Sequence, residues 1–200
     1  MGALAARRPG LAGYLGERPW RDEFARYHLP AIGRLAPLLP GLGRLWGHGD
    51  WHPSNLTWTS ASPGAGVAAV IDLGLANRTF AAHDLAVAIE RSAVPWLDLA
   101  ETGQAQPDIP AVDALLDGYQ DVRRLGNAEL AALPLLLPVV HTEYALSEVE
   151  YFASVVRSPG NADLAYHTYL IGHARWFGTP EGRALLSHLR ERADRQPAVP

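Results

Sequence analysis

The sequence predicts a mainly α-helical domain carrying one small β-hairpin, an α+β fold in which helices supply most of the core. Three observations lead there. Beyond residue 80 the apolar residues recur at the helical period, whereas LTW (56–58) and VAAVID (67–72) are short apolar runs separated by the turn-rich TSASPGAG. In addition, 48% of the 200 residues are apolar, which is enough to bury a core. Composition removes several functions. A net charge of −4 offers no basic footprint for nucleic acid. With no cysteine, disulfides, thiolate zinc sites and thiol nucleophiles are excluded. No run approaches the roughly 18 apolar residues of a membrane span, so a cytoplasmic protein with no membrane partner is the expectation. All 17 basic residues are arginine, and any mechanism that needs a lysine must find it in another chain.

Along the chain, residues 1–19 carry Gly10, Gly13 and Gly16 and read as a loose lead-in. A helix starts at Trp20, with Pro19 in its first turn, and runs through RDEFARYHLPAIGRLAPLL with a kink at Pro30. LGRLW leads into GHGDWHPSN (47–55), and the predicted hairpin follows. AAHDLAVAIERSAV is a helix with Leu85, Ile89 and Val94 along one side. IPAVDALLDGYQDVRRL is a second, closed by Gly126 at the position of a C-cap glycine. Residues 127–156 read as a long proline-kinked helix or a pair of helices, ADLAYHTYLIGHARWF and TPEGRALLSHLRERAD as the last two. The predicted organisation is a lead-in (1–19), a lobe (20–194) with its polar loop and hairpin at 47–73 and helices at 81–194, and a frayed tail (195–200).

GHGDWHPSN has no apolar period and concentrates titratable groups. Antiparallel pairing of the hairpin brings Asp50 and Asn55, before its first strand, close to Asp72 at the exit of its second. Two carboxylates and an amide are hard oxygen donors that suit Mg²⁺, and an aspartate not bound to metal can accept the proton of a hydroxyl nucleophile. Such parts serve phosphoryl transfer. The trio His48, Asp50 and His52 also invites a metallophosphoesterase reading. That chemistry needs further His and Asp clusters, and GNA at 126–128 and 160–162 supplies none.

HGDWHPSNL followed by VIDLGLANRTFAAHDLAVAIE resembles the catalytic segment of the aminoglycoside phosphotransferase and choline kinase-like family, relatives of protein kinases. The likeness rests on three linked motifs: an H-G-D-x-x-x-x-N loop, an I-D-x-G strand end and a D-L-A helix start. It implies a protein-kinase-like C-terminal lobe that transfers phosphate from ATP to a small-molecule hydroxyl, as aminoglycoside, choline and homoserine kinases do. On that resemblance Asp50 is the catalytic base, Asn55 and Asp72 hold Mg²⁺, and His48, His52 and Asp84 support the loop. Asp84 also reads as an aspartate stabilised by the dipole of its own helix.

For the acceptor, Trp51, Glu143, Tyr144 and Glu148 are candidates, against the plainer reading of a solvated helix face. Residues 144, 148 and 151 share one side of a helix and 143 and 150 another, so they do not all face one pocket. His141, His167 and His173 read as packing or surface histidines. The family's β-sheet nucleotide lobe, with its phosphate-covering loop and lysine, does not match the 47 residues before His48, which read as helical. Two expectations follow: a catalytic lobe completed by upstream sequence or a partner, or a non-catalytic kinase-like binding module. Either leaves an apolar face uncovered, which favours a homodimer.

Overall fold

The computed structural model describes residues 6–195. Helix α1 (Pro9–Gly16) occupies the segment expected to be loose, and Leu11 and Leu15, one turn apart, are both buried. They pack with Ala145, Val149, Tyr166 and Leu170 in the smaller of two apolar clusters. A Cβ on Gly10 would collide with the Ser154 side chain, so this glycine permits close packing rather than looseness. The Tyr14 hydroxyl donates to Asp163 at 2.6 Å, and Arg18 pairs with the same carboxylate. The single kinked helix expected from Trp20 is two, α2 (Trp20–Tyr27) and α3 (Leu29–Leu35). The break falls at His28, and Pro30 then sits in the first turn of α3, where a missing N–H costs nothing.

Four short strands follow: β1 (Arg44–Gly47), β2 (Leu56–Trp58), β3 (Val67–Val70) and β4 (Asn77–Phe80). The expected hairpin is β2–β3, antiparallel, with Leu56 opposite Val70. A second antiparallel pair, β1–β4, sets Arg44 opposite Phe80 and Gly47 opposite Asn77. This pairing was not foreseen, and it matters. Residues 48–55 connect β1 to β2 while 71–76 connect β3 to β4, so the two connections run side by side between the two ribbons.

Helix α4 (Ala81–Ala93) leaves β4 directly. It was expected to bury one side, but Ala81, Ala82, Leu85, Ala86, Val87, Ala88, Ile89 and Ala93 are all buried, as suits a helix enclosed on every side. Around it pack α5 (Trp96–Thr102), α6 (Ile109–Val122) and α7 (Asn127–Leu136). Gly126 does not cap α6, which ends at Val122. Its φ is an ordinary −74°, and it precedes α7, where its N–H donates to Glu129 Oε2 at 2.9 Å. Arg123 clamps the same carboxylate at 2.9 and 3.2 Å.

Of the two forms expected over 127–156, the pair of helices is present, α7 and α8 (Thr142–Glu150) joined by a turn, and it ends in a wide π-helical turn at Tyr151–Val156. A second wide turn, Ala165–Leu170, joins α9 (Pro159–Leu164) to α10 (Ile171–Trp176). The last helix, α11 (Pro180–Arg195), is tied to α6 by Arg192 and His188, each 2.7 Å from Asp113. It also completes the larger cluster through Leu185 and Leu189, against Leu116 and Leu133. Of the expected tail, Arg195 ends α11; residues 196–200, like residues 1–5 of the lead-in, lie outside the described residues. No helix among the described residues is long and apolar enough to cross a membrane.

Leu11→Ala tests whether the N-terminal segment is part of the folded unit. Urea unfolding should show a loss of about 2–5 kcal/mol, the usual cost of emptying a buried leucine site. A loose segment would shift stability by no more than about 0.5 kcal/mol.

Candidate active site

The β1–β4 pairing carries residues 48 and 49 over the first turn of α4, where Asp84 stands. Its carboxylate accepts the His48 N–H at 2.6 Å and the Gly49 N–H at 3.0 Å. Asp84 therefore occupies the first turn of its helix and grips a loop from another part of the chain at once. Burial pushes its carboxyl up, but the His83 side chain and the two backbone N–H groups outweigh this and hold it below the usual carboxylate value. The two glycines around His48 are sterically required. A Cβ on Gly47 would lie 2.8 Å from the Asp84 carboxylate. Gly49 has φ +80°, and a side chain there would run into the Leu75 carbonyl.

His48 is buried and spends both ring nitrogens on the protein. Nε2–H donates to the Ile71 carbonyl at 2.9 Å, and Nδ1 accepts the Asp50 N–H at 3.3 Å. A carbonyl cannot donate and a backbone N–H cannot accept, so both contacts select the neutral Nε2–H tautomer. No lone pair remains on His48 for a metal, which removes a ligand from the metallophosphoesterase reading.

Asn55 is also buried, and its Nδ2 donates to the Asp50 carbonyl at 2.9 Å and to Asp50 Oδ2 at 3.2 Å. Its backbone carbonyl accepts the Ile71 N–H at 3.0 Å. Ile71 is thus held by both His48 and Asn55, which ties the residue before Asp72 to the connection that bears Asp50. Asp72 is exposed and left-handed (φ 60°, ψ 63°), a conformation costing roughly 1–2 kcal/mol. Its Oδ1 accepts the Gly74 N–H at 3.4 Å, a local bond of the kind that lets aspartate tolerate this region.

The Asp50 side chain is 14% exposed. His52 Nε2 lies 3.4 Å from Oδ2, and Arg91 Nη1 lies 3.4 Å from Oδ1. Arg91 was not singled out from sequence, although a signal existed. It follows Asp84 by seven residues, two turns along α4, and so faces the same way. Its guanidinium also lies 5.6 Å from the Tyr144 ring centroid and 3.5 Å from the Tyr169 hydroxyl.

The proposed acceptor residues do not form one group. Tyr144 and Glu148 lie on the Arg91 side. Burial pushes both up, with Glu148 and Asp50 adding to the rise at Tyr144 and Arg91 opposing it at Glu148. Glu143 is exposed, and Glu150 pairs with Arg8 of the N-terminal segment. Trp51 lies edge-on to His48 and lines a separate cavity of about 400 Å³ with Leu85, Ala88, Leu115 and Tyr119. His167 is exposed, whereas His141 and His173 are buried beside Glu90, a contact sequence reasoning did not anticipate. Burial raises the Glu90 carboxyl to about 7 and lowers the imidazoles of His141 and His173 to about 4 and about 3.

A model of the phosphotransferase enzyme family matches residues 3–133, more than half of the chain. An uncharacterized protein of Deinococcus radiodurans is 36% identical over 104 residues, which is 50% of this chain and 27% of that protein. The chain thus spans about a quarter of the length of this relative. No solved structure matches.

Asp84→Asn tests the anchoring of the loop. An amide leaves one of the two N–H groups facing another donor, and the loss should be roughly 1.5–3 kcal/mol at neutral pH. Because the Asp84 carboxyl titrates lower folded than unfolded, its contribution is complete above the usual carboxylate value and disappears as pH falls through the folded value. The stability difference between wild type and variant should therefore shrink in acid. A difference that does not change with pH contradicts a charged anchor.

Proposed function

The chain belongs to the phosphotransferase enzyme family, and on that premise we propose that it is the kinase-like catalytic lobe of a small-molecule O-phosphotransferase using MgATP. The observation that carries this reading is the gathering of Asp50, Asn55 and Asp72 around Ile71, which His48 and Asn55 hold from both sides.

The residues fit a magnesium ion. Both protons of the Asn55 amide nitrogen point at Asp50 oxygens, so its Oδ1 is left as an acceptor, and Asp72 offers an exposed carboxylate. Asn55 and Asp72 would hold the ion. Bound there, Mg²⁺ supplies charge neutralisation to the donor phosphates.

Asp50 accepts the proton of the acceptor hydroxyl as that oxygen attacks the terminal phosphorus of ATP. The new O–P bond forms while the bond to the bridging oxygen breaks, and its electron pair leaves with ADP. Arg91 and Asn55 hold the Asp50 carboxylate in place. Tyr144 and the half-buried Glu148 border the same side, where a carboxylate suits an acceptor carrying an amine. Trp46 (72% exposed), Trp58, Val67, Ile71 and Leu73 present apolar surface on the strands and their connection. That surface suits a nucleotide lobe, or failing one a second copy of the chain. The lysine for the donor phosphates would come from such a lobe.

Phosphorus-31 NMR of the chain with MgATP and a panel of hydroxyl acceptors tests the reaction, with a phosphate monoester expected. Asp50→Asn should lower turnover about 10²–10⁴-fold, as loss of a general base does. Retained turnover would refute Asp50 as the base. Raising MgATP to millimolar levels should raise the melting temperature, and no shift sinks nucleotide binding by this chain alone.

A further inference from the structure

Behind Asp50, three residues from distant parts of the chain meet in the interior. Glu90 comes from α4, His141 from the residue preceding α8 and His173 from α10. All three are buried, and their ligand atoms lie within 4.8 Å of one another. We propose that Glu90, His141 and His173 form a binding site for a divalent transition metal of the zinc class, with ligands distinct from Asn55 and Asp72.

The argument begins with His141, whose side chain is fully buried. Its Nε2 lies 3.1 Å from the Leu170 carbonyl, which can only accept, so Nε2 carries the proton and Nδ1 carries a lone pair. Nδ1 has no hydrogen-bond partner among the described residues, and it stands 4.0 Å from Glu90 Oε1. Two lone pairs face each other across a gap too wide for a hydrogen bond, which reaches about 3.2 Å. A cation between them resolves the mismatch. A ligating histidine whose other nitrogen donates to a backbone carbonyl is the arrangement metal sites use to fix tautomer and ring orientation.

The third ligand is equally well held. His173 Nδ1 lies 2.7 Å from the same Glu90 oxygen, and its ring stacks on Trp96 with centroids 3.6 Å apart. Trp96 in turn donates its indole N–H to the Glu90 carbonyl at 2.7 Å. Around tetrahedral zinc, ligand atoms sit roughly 3.3 Å apart, given metal–ligand distances of 2.0–2.1 Å. The 2.7 Å pair would open and the 4.0 Å pair close, each by less than about 1 Å.

Two imidazoles and a carboxylate are a ligand set that zinc accepts with a fourth position left to water. A cavity of about 20 Å³ is lined by Glu90 and His141 together with Asp50, Arg91 and Tyr144, enough volume for one water. A metal here would tie α4 to the start of α8 and to α10. It would thereby join the larger apolar cluster to the smaller one.

Cobalt(II) is the probe, because it occupies zinc sites and absorbs visible light there. The metal-free wild-type chain titrated with Co²⁺ should develop the intense visible bands of low-coordinate nitrogen and oxygen ligation. Zn²⁺ should abolish those bands, while excess Mg²⁺ should leave them unchanged, which separates this site from Asn55 and Asp72. Glu90→Gln and His141→Phe, which keep side-chain volume, should each remove the bands. No bands in the wild type, displacement by Mg²⁺, or bands unchanged in either variant would overturn the proposal. The wild-type titration and its Zn²⁺ and Mg²⁺ competitions decide the matter even if a variant fails to fold.

Discussion

The two bonds from the Asp84 carboxylate to the N–H groups of His48 and Gly49 are the constraint on which the site depends. They join a loop with no apolar period to a helix that is buried over most of its length. A charge-assisted bond to a backbone N–H is among the stronger contacts available, and two of them fix direction as well as distance. Gly47 and Gly49 are the local consequence, because side chains at either position would crowd the Asp84 carboxylate or the Leu75 carbonyl. Burial of α4 on every side then gives the loop a rigid reference.

From that anchor the polar loop divides its labour. His48 and the amide nitrogen of Asn55 face inward and spend their hydrogen bonds on the chain itself. Asp50 pairs with Arg91 and Asp72 is exposed, and both carboxylates act on Tyr144. The same helix supplies both grips, since Asp84 holds the loop backbone and Arg91, two turns on, holds the Asp50 side chain. The chemistry of the site is therefore set by the phase of α4 as much as by the loop sequence.

The hairpin and the α4 start were legible because local signals specify them: short apolar runs, turn residues and the linked motifs. The β1–β4 pair was not, because RLWG and NRTF are four residues each and some thirty residues apart, and nothing in either states a register. Helix α1 was hidden by a glycine whose purpose is contact with Ser154, and Gly126, expected to close one helix, instead caps the start of the next. Glu90, His141 and His173 lie 51 and 32 residues apart on three elements, so only the tertiary fold brings them together. Arg91 was readable in principle as the residue seven after Asp84, and it was overlooked because the apolar period of the helix drew the reading inward.

The central claim is that the loop and the strand end form one cation and phosphate site. Manganese(II) tests it most directly, since it replaces magnesium and broadens the NMR signals of nearby nuclei. With Mn²⁺ and a nucleoside triphosphate, the Asn55 side-chain amide and the backbone amides of Asp72 to Gly74 should broaden first, ahead of those near exposed carboxylates such as Glu143 and Glu191. Broadening spread over surface carboxylates, with Asn55 and Asp72 spared, would contradict the account.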